Sequence, residues 1–154
     1  MNKDYKLSII VPIYNRPDEL DELLHSIYMA RIPDGVSLEI VVIEDGSVVK
    51  SDAVCKRWEE KINIKYFAKE NTGPGASRNY GMERATGDYF VILDSDCLIP
   101  EDYFITLYIM EISVLMQKTD SEGSLFKVAL FHITLIGKSN KYTKILYKKY
   151  FAKP

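Results

Sequence analysis

Four strand-like runs are separated by segments of helical hydrophobic spacing in the first hundred residues of this 154-residue chain. Residues 7–13, 38–43 and 88–93 are nearly continuous apolar runs, and residues 62–68 alternate apolar and polar side chains. Continuous apolar runs are typical of parallel strands that helices cover on both faces. Hydrophobic residues make up 47% of the chain, which is enough to build such a core. The pattern therefore predicts an open, mainly parallel α/β sheet with flanking helices.

Polar side chains follow three of the predicted strands directly. Tyr14 and Asn15 follow the first strand, residues 44–47 follow the second, and residues 94–96 follow the fourth. The carboxyl ends of parallel strands meet at one edge of the sheet, where ligands bind at the point at which the strand order reverses. Asn15 is also placed to cap the helix that follows it. We predict a binding site at this edge.

Asp94 and Asp96 are two positions apart at the end of an apolar strand, hence on one face and roughly 6–7 Å apart. Two carboxylates that close repel each other unless a positive charge lies with them. A hard divalent cation with open positions for diphosphate oxygens meets this need and acts as a Lewis acid. The alternative is a solvated, Asp-rich turn, and the position after a buried strand favours the metal.

Two further groups are candidates for binding a nucleotide. Asp45, after the second strand, can accept a hydrogen bond from the N–H of a pyrimidine base, although Asp-Gly is also a common turn. Arg78 and Asn79 follow a glycine-rich turn at residues 71–75, where a guanidinium can contact a diphosphate or pair with strand-end carboxylates. The glycines do not complete a dinucleotide-binding fingerprint, because position 78 is Arg and the turn follows the third strand.

Composition excludes several classes of protein. A net charge of −2 argues against a protein that coats nucleic acid. Two cysteines are too few for a disulfide framework, and no apolar stretch approaches the length of a transmembrane helix. The amino terminus lacks the pattern of a signal peptide. We therefore expect a cytoplasmic protein, with the inner face of the membrane as its alternative location.

Three sequence blocks occur in order: LSIIVPIYNRPDELDELLHSI, EIVVIEDGS and ENTGPGASRNYGMERATGDYFVILDSDCLIPEDY. Together they resemble the nucleotide-sugar-binding half of a family 2 glycosyltransferase, over about residues 6–104. The resemblance implies the GT-A fold, which is Rossmann-like, and inverting transfer from a nucleoside-diphosphate sugar, with a UDP-sugar favoured. It also implies a divalent metal, Mn or Mg, and a glycan or lipid-linked acceptor in surface glycan synthesis.

The resemblance assigns roles to particular residues. Pro12 and Tyr14 would line the base pocket, and Arg78 matches the family's A-R-N-x-G segment with Ser77 in place of Ala. Asp94 would contact the ribose or the metal, and Asp96 the metal. The residues expected to bind the donor are Pro12, Tyr14, Asn15, Asp45, Arg78, Asp94 and Asp96.

The last part of the chain departs from this pattern. Residues 1–104 carry a net charge of −7, whereas residues 105–154 carry +5. We expect residues 1–117 to form the GT-A domain and residues 118–154 to be a divergent basic tail that is poorly ordered or packs over the sheet. Family members normally continue well past the metal motif, into a half that supplies the acceptor site and general base.

The sequence leaves three interpretations of the activity open. We expect a truncated or frameshifted product that binds donor without glycosylating an acceptor, a catalytically inactive remnant. The alternative is a short enzyme whose general base is Asp120 or Glu122. A phosphatase of the haloacid dehalogenase type is a third possibility. In such phosphatases the D-x-D motif follows the first strand, whereas in this chain it follows the fourth.

Overall fold

The computed structural model describes residues 4–108, 131–132 and 145–148. The strands are β1 (Tyr5–Ile13), β2 (Val36–Asp45), β3 (Ile64–Lys69), β4 (Tyr89–Ile92), β5 (Phe131–His132) and β6 (Ile145–Lys148). The helices are α1 (Pro17–Met29), α2 (Asp52–Trp58) and α3 (Pro74–Arg84), and residues 103–108 are also helical.

The strands form one sheet in the order β3-β2-β1-β4-β6-β5. β1, β2, β3 and β4 run parallel, whereas β6 lies antiparallel to β4 and β5 antiparallel to β6. The chain proceeds from β1 outward to β3 and then returns to the other side of β1, so the order reverses between β1 and β4. The prediction of an open, mainly parallel α/β sheet is confirmed.

Helices cover both faces of the sheet, which explains why the central strands are apolar at successive positions. Ile9 and Val11 of β1 pack in the cluster that contains the buried side chains of α1 and α2. Ile10, between them, packs on the opposite face in a smaller cluster beneath α3. α3 lies close to the sheet at Gly81, where an added Cβ would be 2.5 Å from Cγ2 of Ile10.

One local prediction needs correction. Asn15 does not cap α1, because the N-cap residue is Arg16 and no side chain caps the helix. α1 ends at Met29, since Ala30 is already extended. α3 ends at Arg84, since Ala85 is already extended.

Gly87 lies where the chain passes close to β1. A Cβ at this position would lie 2.4 Å from Oγ of Ser8 and 2.7 Å from the carbonyl oxygen of Lys6. The backbone N–H of Gly87 donates to Oγ of Ser8 at 2.8 Å. A glycine is therefore required here because the chain approaches β1 closely on its way into β4.

Most of the predicted tail lies outside the described residues, including Asp120 and Glu122. Two short segments of it are described, and β6 pairs in register with β4 so that Ile145 lies opposite Ile92. The division at residue 117 and the order of the tail stay predictions. Across residues 4–108, 131–132 and 145–148, no helix combines the length and the apolar character that crossing a membrane demands.

Candidate functional site

The predicted site residues meet at the carboxyl edge of the sheet. Asn15 follows β1, Asp45 ends β2, and Asp94 and Asp96 follow β4, which flanks β1 on the other side. Their placement on both sides of the reversal in strand order is the arrangement at which open α/β sheets bind ligands. Within this edge the side chains differ sharply in exposure and in the partners they already have.

Asp45 is a buried carboxylate held by the turn that follows β3. Its Oδ1 accepts hydrogen bonds from Nζ of Lys69 and from the N–H of Thr72 at 2.9 Å, and its Oδ2 accepts from the N–H of Gly73 at 2.9 Å. Burial alone would raise the pKa of Asp45, but the hydrogen bonds from Lys69 and Thr72 outweigh it and lower the pKa. The carboxylate is therefore ionised and fixed in one orientation.

Lys69 is a site residue that sequence reasoning missed. In the parallel pairing of β2 and β3 it lies directly opposite Asp45. Its Nζ also donates to the carbonyl of Glu70 at 2.9 Å and to Oγ1 of Thr72 at 2.5 Å. The signal that could have revealed it is the pair of opposite charges at the ends of two strands that a βαβ unit makes neighbours.

Asn15 forms hydrogen bonds with the loop that follows β2. It adopts a left-handed backbone conformation, with φ of 53°. Its Oδ1 accepts hydrogen bonds from the N–H groups of Val48 and Val49 at 2.8 and 3.0 Å, and its own N–H donates to Oγ of Ser47 at 2.8 Å. The loop after β2 is thereby tied to the end of β1, with Val48 87% exposed beside it.

Glu44 secures the other side of the same loop. Its carboxylate is buried and accepts hydrogen bonds from the hydroxyl of Ser47, from the N–H of Ser51 at 2.8 Å and from the hydroxyl of Tyr66 at 3.3 Å. Burial and the negative charge of Glu44 raise the pKa of Tyr66. Glu44 is a second residue whose part in shaping the site was missed, because adjacent acidic residues give no local sign of which face each one occupies.

Asp94 and Asp96 are accessible, and an arginine lies beside each. The side chains of Asp94 and Asp96 are 52% and 42% exposed. Nη2 of Arg78 lies 2.9 Å from Oδ1 of Asp94, and Nη1 of Arg16 lies 3.6 Å from Oδ2 of Asp96. Arg78 thus pairs with a strand-end carboxylate, one of its two predicted roles, whereas the contact made by Arg16 was not foreseen.

The oxygen donors of Asp94 and Asp96 fit a hard divalent cation that fills its remaining positions with phosphate oxygens and water. In the part of the chain that the structure describes, no group of three or more Asp, Glu, His or Cys side chains forms a closed metal cage. A pair of exposed carboxylates suits magnesium or manganese bound together with a diphosphate.

Pro12 and Tyr14 lie on either side of the end of β1. Pro12 is buried in the sheet opposite Ile43, and Tyr14 is 50% exposed at the edge. Tyr14 is thus accessible to a ligand at the carboxyl edge, whereas Pro12 contributes through the shape of the backbone around it.

Comparisons with known proteins identify the family. The sequence profile of "Glycosyl transferase family 2" matches residues 8–111. The glycosyltransferase GlyA of Streptococcus pneumoniae is 40% identical over 106 residues, which are 68% of this chain and 15% of GlyA. The chain therefore spans a small part of the length of this curated relative.

Solved structures show the same fold. The mannosyltransferase PcManGT from Pyrobaculum calidifontis, in complex with GDP-Man and Mn2+, matches with a TM-score of 0.57 and 31% identity over 62% of this chain and 29% of that one. TarS 1-349 of S. aureus, in complex with UDP, matches with a TM-score of 0.63 and 23% identity over 93% of this chain and 46% of that one. These neighbours are GT-A glycosyltransferases, and the match leaves the phosphatase alternative without support. The chain belongs to glycosyl transferase family 2.

Proposed function

We propose that this chain binds a nucleoside-diphosphate sugar, with a UDP-sugar as the favoured donor, together with a divalent metal ion. It would serve as the donor-binding part of an inverting glycosyltransferase of surface glycan synthesis. The observation that carries the proposal is the convergence of Asp45, Asp94 and Asp96 at the point where the strand order reverses. In a family 2 member, Asp45 would supply a base acceptor on one side of β1, and Asp94 and Asp96 would supply exposed metal ligands on the other.

Asp94 and Asp96 would hold the metal ion, which would neutralise negative charge on the departing nucleoside diphosphate. Arg78 and Arg16 now supply the positive charge beside these carboxylates. Nε of Arg78 is buried without a hydrogen-bond partner among the described residues, an arrangement that costs free energy. This favours a second placement of the Arg78 guanidinium when an anionic diphosphate is present.

The known relatives support the class of ligand. PcManGT, at 31% identity, is described as bound to GDP-Man and Mn2+. Its ligands support a nucleotide sugar and a divalent metal for this chain. The preference for uracil instead of guanine rests on the residues of this chain, above all on Asp45 as the acceptor for a base N–H.

The acceptor side of the reaction is a separate matter from donor binding. Glu101 pairs with Arg31 at 3.2 Å near the end of α1, which places Glu101 at the amino edge, opposite the site. Asp120 and Glu122 lie outside the described residues. We propose that donor binding is a property of residues 4–108, and that binding without transfer to a glycan or lipid-linked acceptor would identify the nucleotide-binding remnant.

The test is calorimetric binding of UDP with Mn2+ and with a chelator. We expect the metal to tighten binding about tenfold or more, which corresponds to about 1.4 kcal/mol or more. Asp96→Asn should remove that gain. Asp34→Asn, the same change at an exposed residue before β2, should retain it. Equal affinity with and without metal would contradict the metal site, and no binding in either condition would contradict the proposed function.

A further inference from the structure

We propose that Lys69 is a specificity-determining residue of the donor site. By occupying Oδ1 of Asp45, it leaves room for a base that offers one N–H donor, uracil, and disfavours guanine, which offers two. This inference rests on the proposed function and deepens it, because it names the base and the residue that selects it.

The selection follows from counting acceptor positions on Asp45. An ionised carboxylate offers about four, two on each oxygen. Oδ1 receives Nζ of Lys69 and the N–H of Thr72, and Oδ2 receives the N–H of Gly73. The hydroxyl of the nearby Ser77 has one hydrogen, which it donates to the carbonyl of Gly73 at 3.1 Å. Among the described residues, one acceptor position on Oδ2 therefore remains.

Little of the Asp45 carboxylate is accessible, since its side chain is only 5% exposed. Uracil presents N3–H between two carbonyl groups, so that a single acceptor position satisfies it. Guanine presents N1–H and the N2 amino group on one edge, and a carboxylate binds that edge through both of its oxygens. With Oδ1 filled, this paired contact is closed, and one guanine donor would be buried without a partner.

Lys69 cannot give up Oδ1 easily. Its side chain is 12% exposed, and its three N–H groups are distributed over Asp45, Glu70 and Thr72. Moving it aside would break three charge-assisted hydrogen bonds. Because Lys69 and Asp45 are paired residues of adjacent strands, the selection is set by the sheet itself and does not depend on a mobile loop.

The test compares nucleotides on the wild-type protein by calorimetry in the presence of Mn2+. We expect UDP to bind about tenfold or more tightly than GDP, and 3-methyl-UDP, which lacks the N3–H, to lose affinity by a similar factor. Lys69→Met removes the donor but keeps most of the aliphatic chain. It should reduce the UDP-to-GDP affinity ratio by about tenfold, whereas Lys56→Met, on the exposed face of α2, should leave the ratio unchanged.

The outcomes separate this inference from the proposed function. A wild-type protein that binds none of these nucleotides would overturn the proposed function. Equal binding of UDP and GDP by the wild type, or an unchanged ratio in Lys69→Met, would overturn the role of Lys69 while donor binding stood. Circular dichroism checks that the variant folds, and if Lys69→Met does not, Lys69→Leu, which also lacks a donor, is judged by the same ratio.

Discussion

Two buried carboxylates of β2, Glu39 and Asp45, lie at opposite edges of the sheet and differ in how completely they are satisfied. Asp45, at the carboxyl edge, keeps one acceptor position among the described residues. Glu39, at the amino edge, is fully buried and has no position left. Its donors are the hydroxyl of Ser8, the N–H and hydroxyl of Thr86, and the ammonium groups of Lys6 and Lys65.

The difference distinguishes a structural carboxylate from a binding one. The partners of Glu39 come from β1, from β3 and from the segment before β4, so this side chain joins three parts of the sheet. Burial would raise the pKa of Glu39, but the hydrogen bonds from Ser8, Thr86 and Lys65 outweigh it and lower the pKa. Hydrogen bonds likewise lower the pKa of Asp45 and keep it ionised, but its remaining acceptor position can bind a ligand.

The largest effect is expected from Glu39→Ala. The variant leaves two ammonium groups, two hydroxyls and a backbone N–H without this acceptor, so the free energy of unfolding should fall by about 3–5 kcal/mol. Urea unfolding followed by circular dichroism measures the loss. The folded fraction should still bind UDP as the wild type does, and a specific loss of UDP affinity would contradict the division between the two edges.

Asp45→Ala should have the complementary effect. Loss of a hydrogen bond to a charged acceptor costs roughly 1.5–3 kcal/mol, which weakens UDP binding about ten- to a hundredfold. Calorimetric titration with UDP provides the measurement. A variant that binds UDP as tightly as the wild type would show that Asp45 does not contact the base.

The glycines next to the two carboxylate clusters give a paired test. Gly46, with φ of +70°, would place a Cβ 2.5 Å from the backbone nitrogen of Asn71, and Gly87 would place one 2.7 Å from the carbonyl oxygen of Lys6. Each change to Ala should cost about 1–3 kcal/mol of unfolding free energy. Only Gly46→Ala should also weaken UDP binding, because it displaces the turn that holds Asp45. Equal effects of both on binding would argue against separate roles for the edges.

The smallest effect concerns pH. The pKa values of Glu39 and Asp45 are both lowered on folding, so their contributions are complete above the ordinary values of 4.5 and 3.8 and are lost as the pH falls below them. The free energy of unfolding should therefore decline as pH is lowered from 6 through this window. Glu39→Gln should show a shallower decline than the wild type, and parallel curves would contradict the shift at Glu39.

The sheet and the placement of its polar clusters could be predicted because hydrophobic periodicity is a local property. The runs around Ile10, Val42 and Val91 identify buried strands, and the residues after them must lie at the strand ends. Strand order is not local, and no pattern in the chain places β4 beside β1. The neighbours of each cluster, such as Arg16 beside Asp96, could therefore not be derived.

Residues that act through partners distant in sequence were missed for the same reason. Lys69 meets Asp45 only once β3 is registered against β2, and Glu44 meets Tyr66 through the same pairing. Asn15 was predicted as a helix cap because its residue type and position fit one. Its side chain instead accepts from the loop after β2, a competing partner more than thirty residues away.

The conformation and contacts of Asn15 limit which amino acids evolution can accept at this position. The position requires a left-handed backbone, which glycine adopts freely and asparagine tolerates, and a short side chain with an acceptor that reaches two N–H groups. Glycine meets the first requirement and most polar residues meet only the second. In a library of all single substitutions, this exposed position should therefore be among the most restricted in the domain, with aspartate the best-accepted replacement.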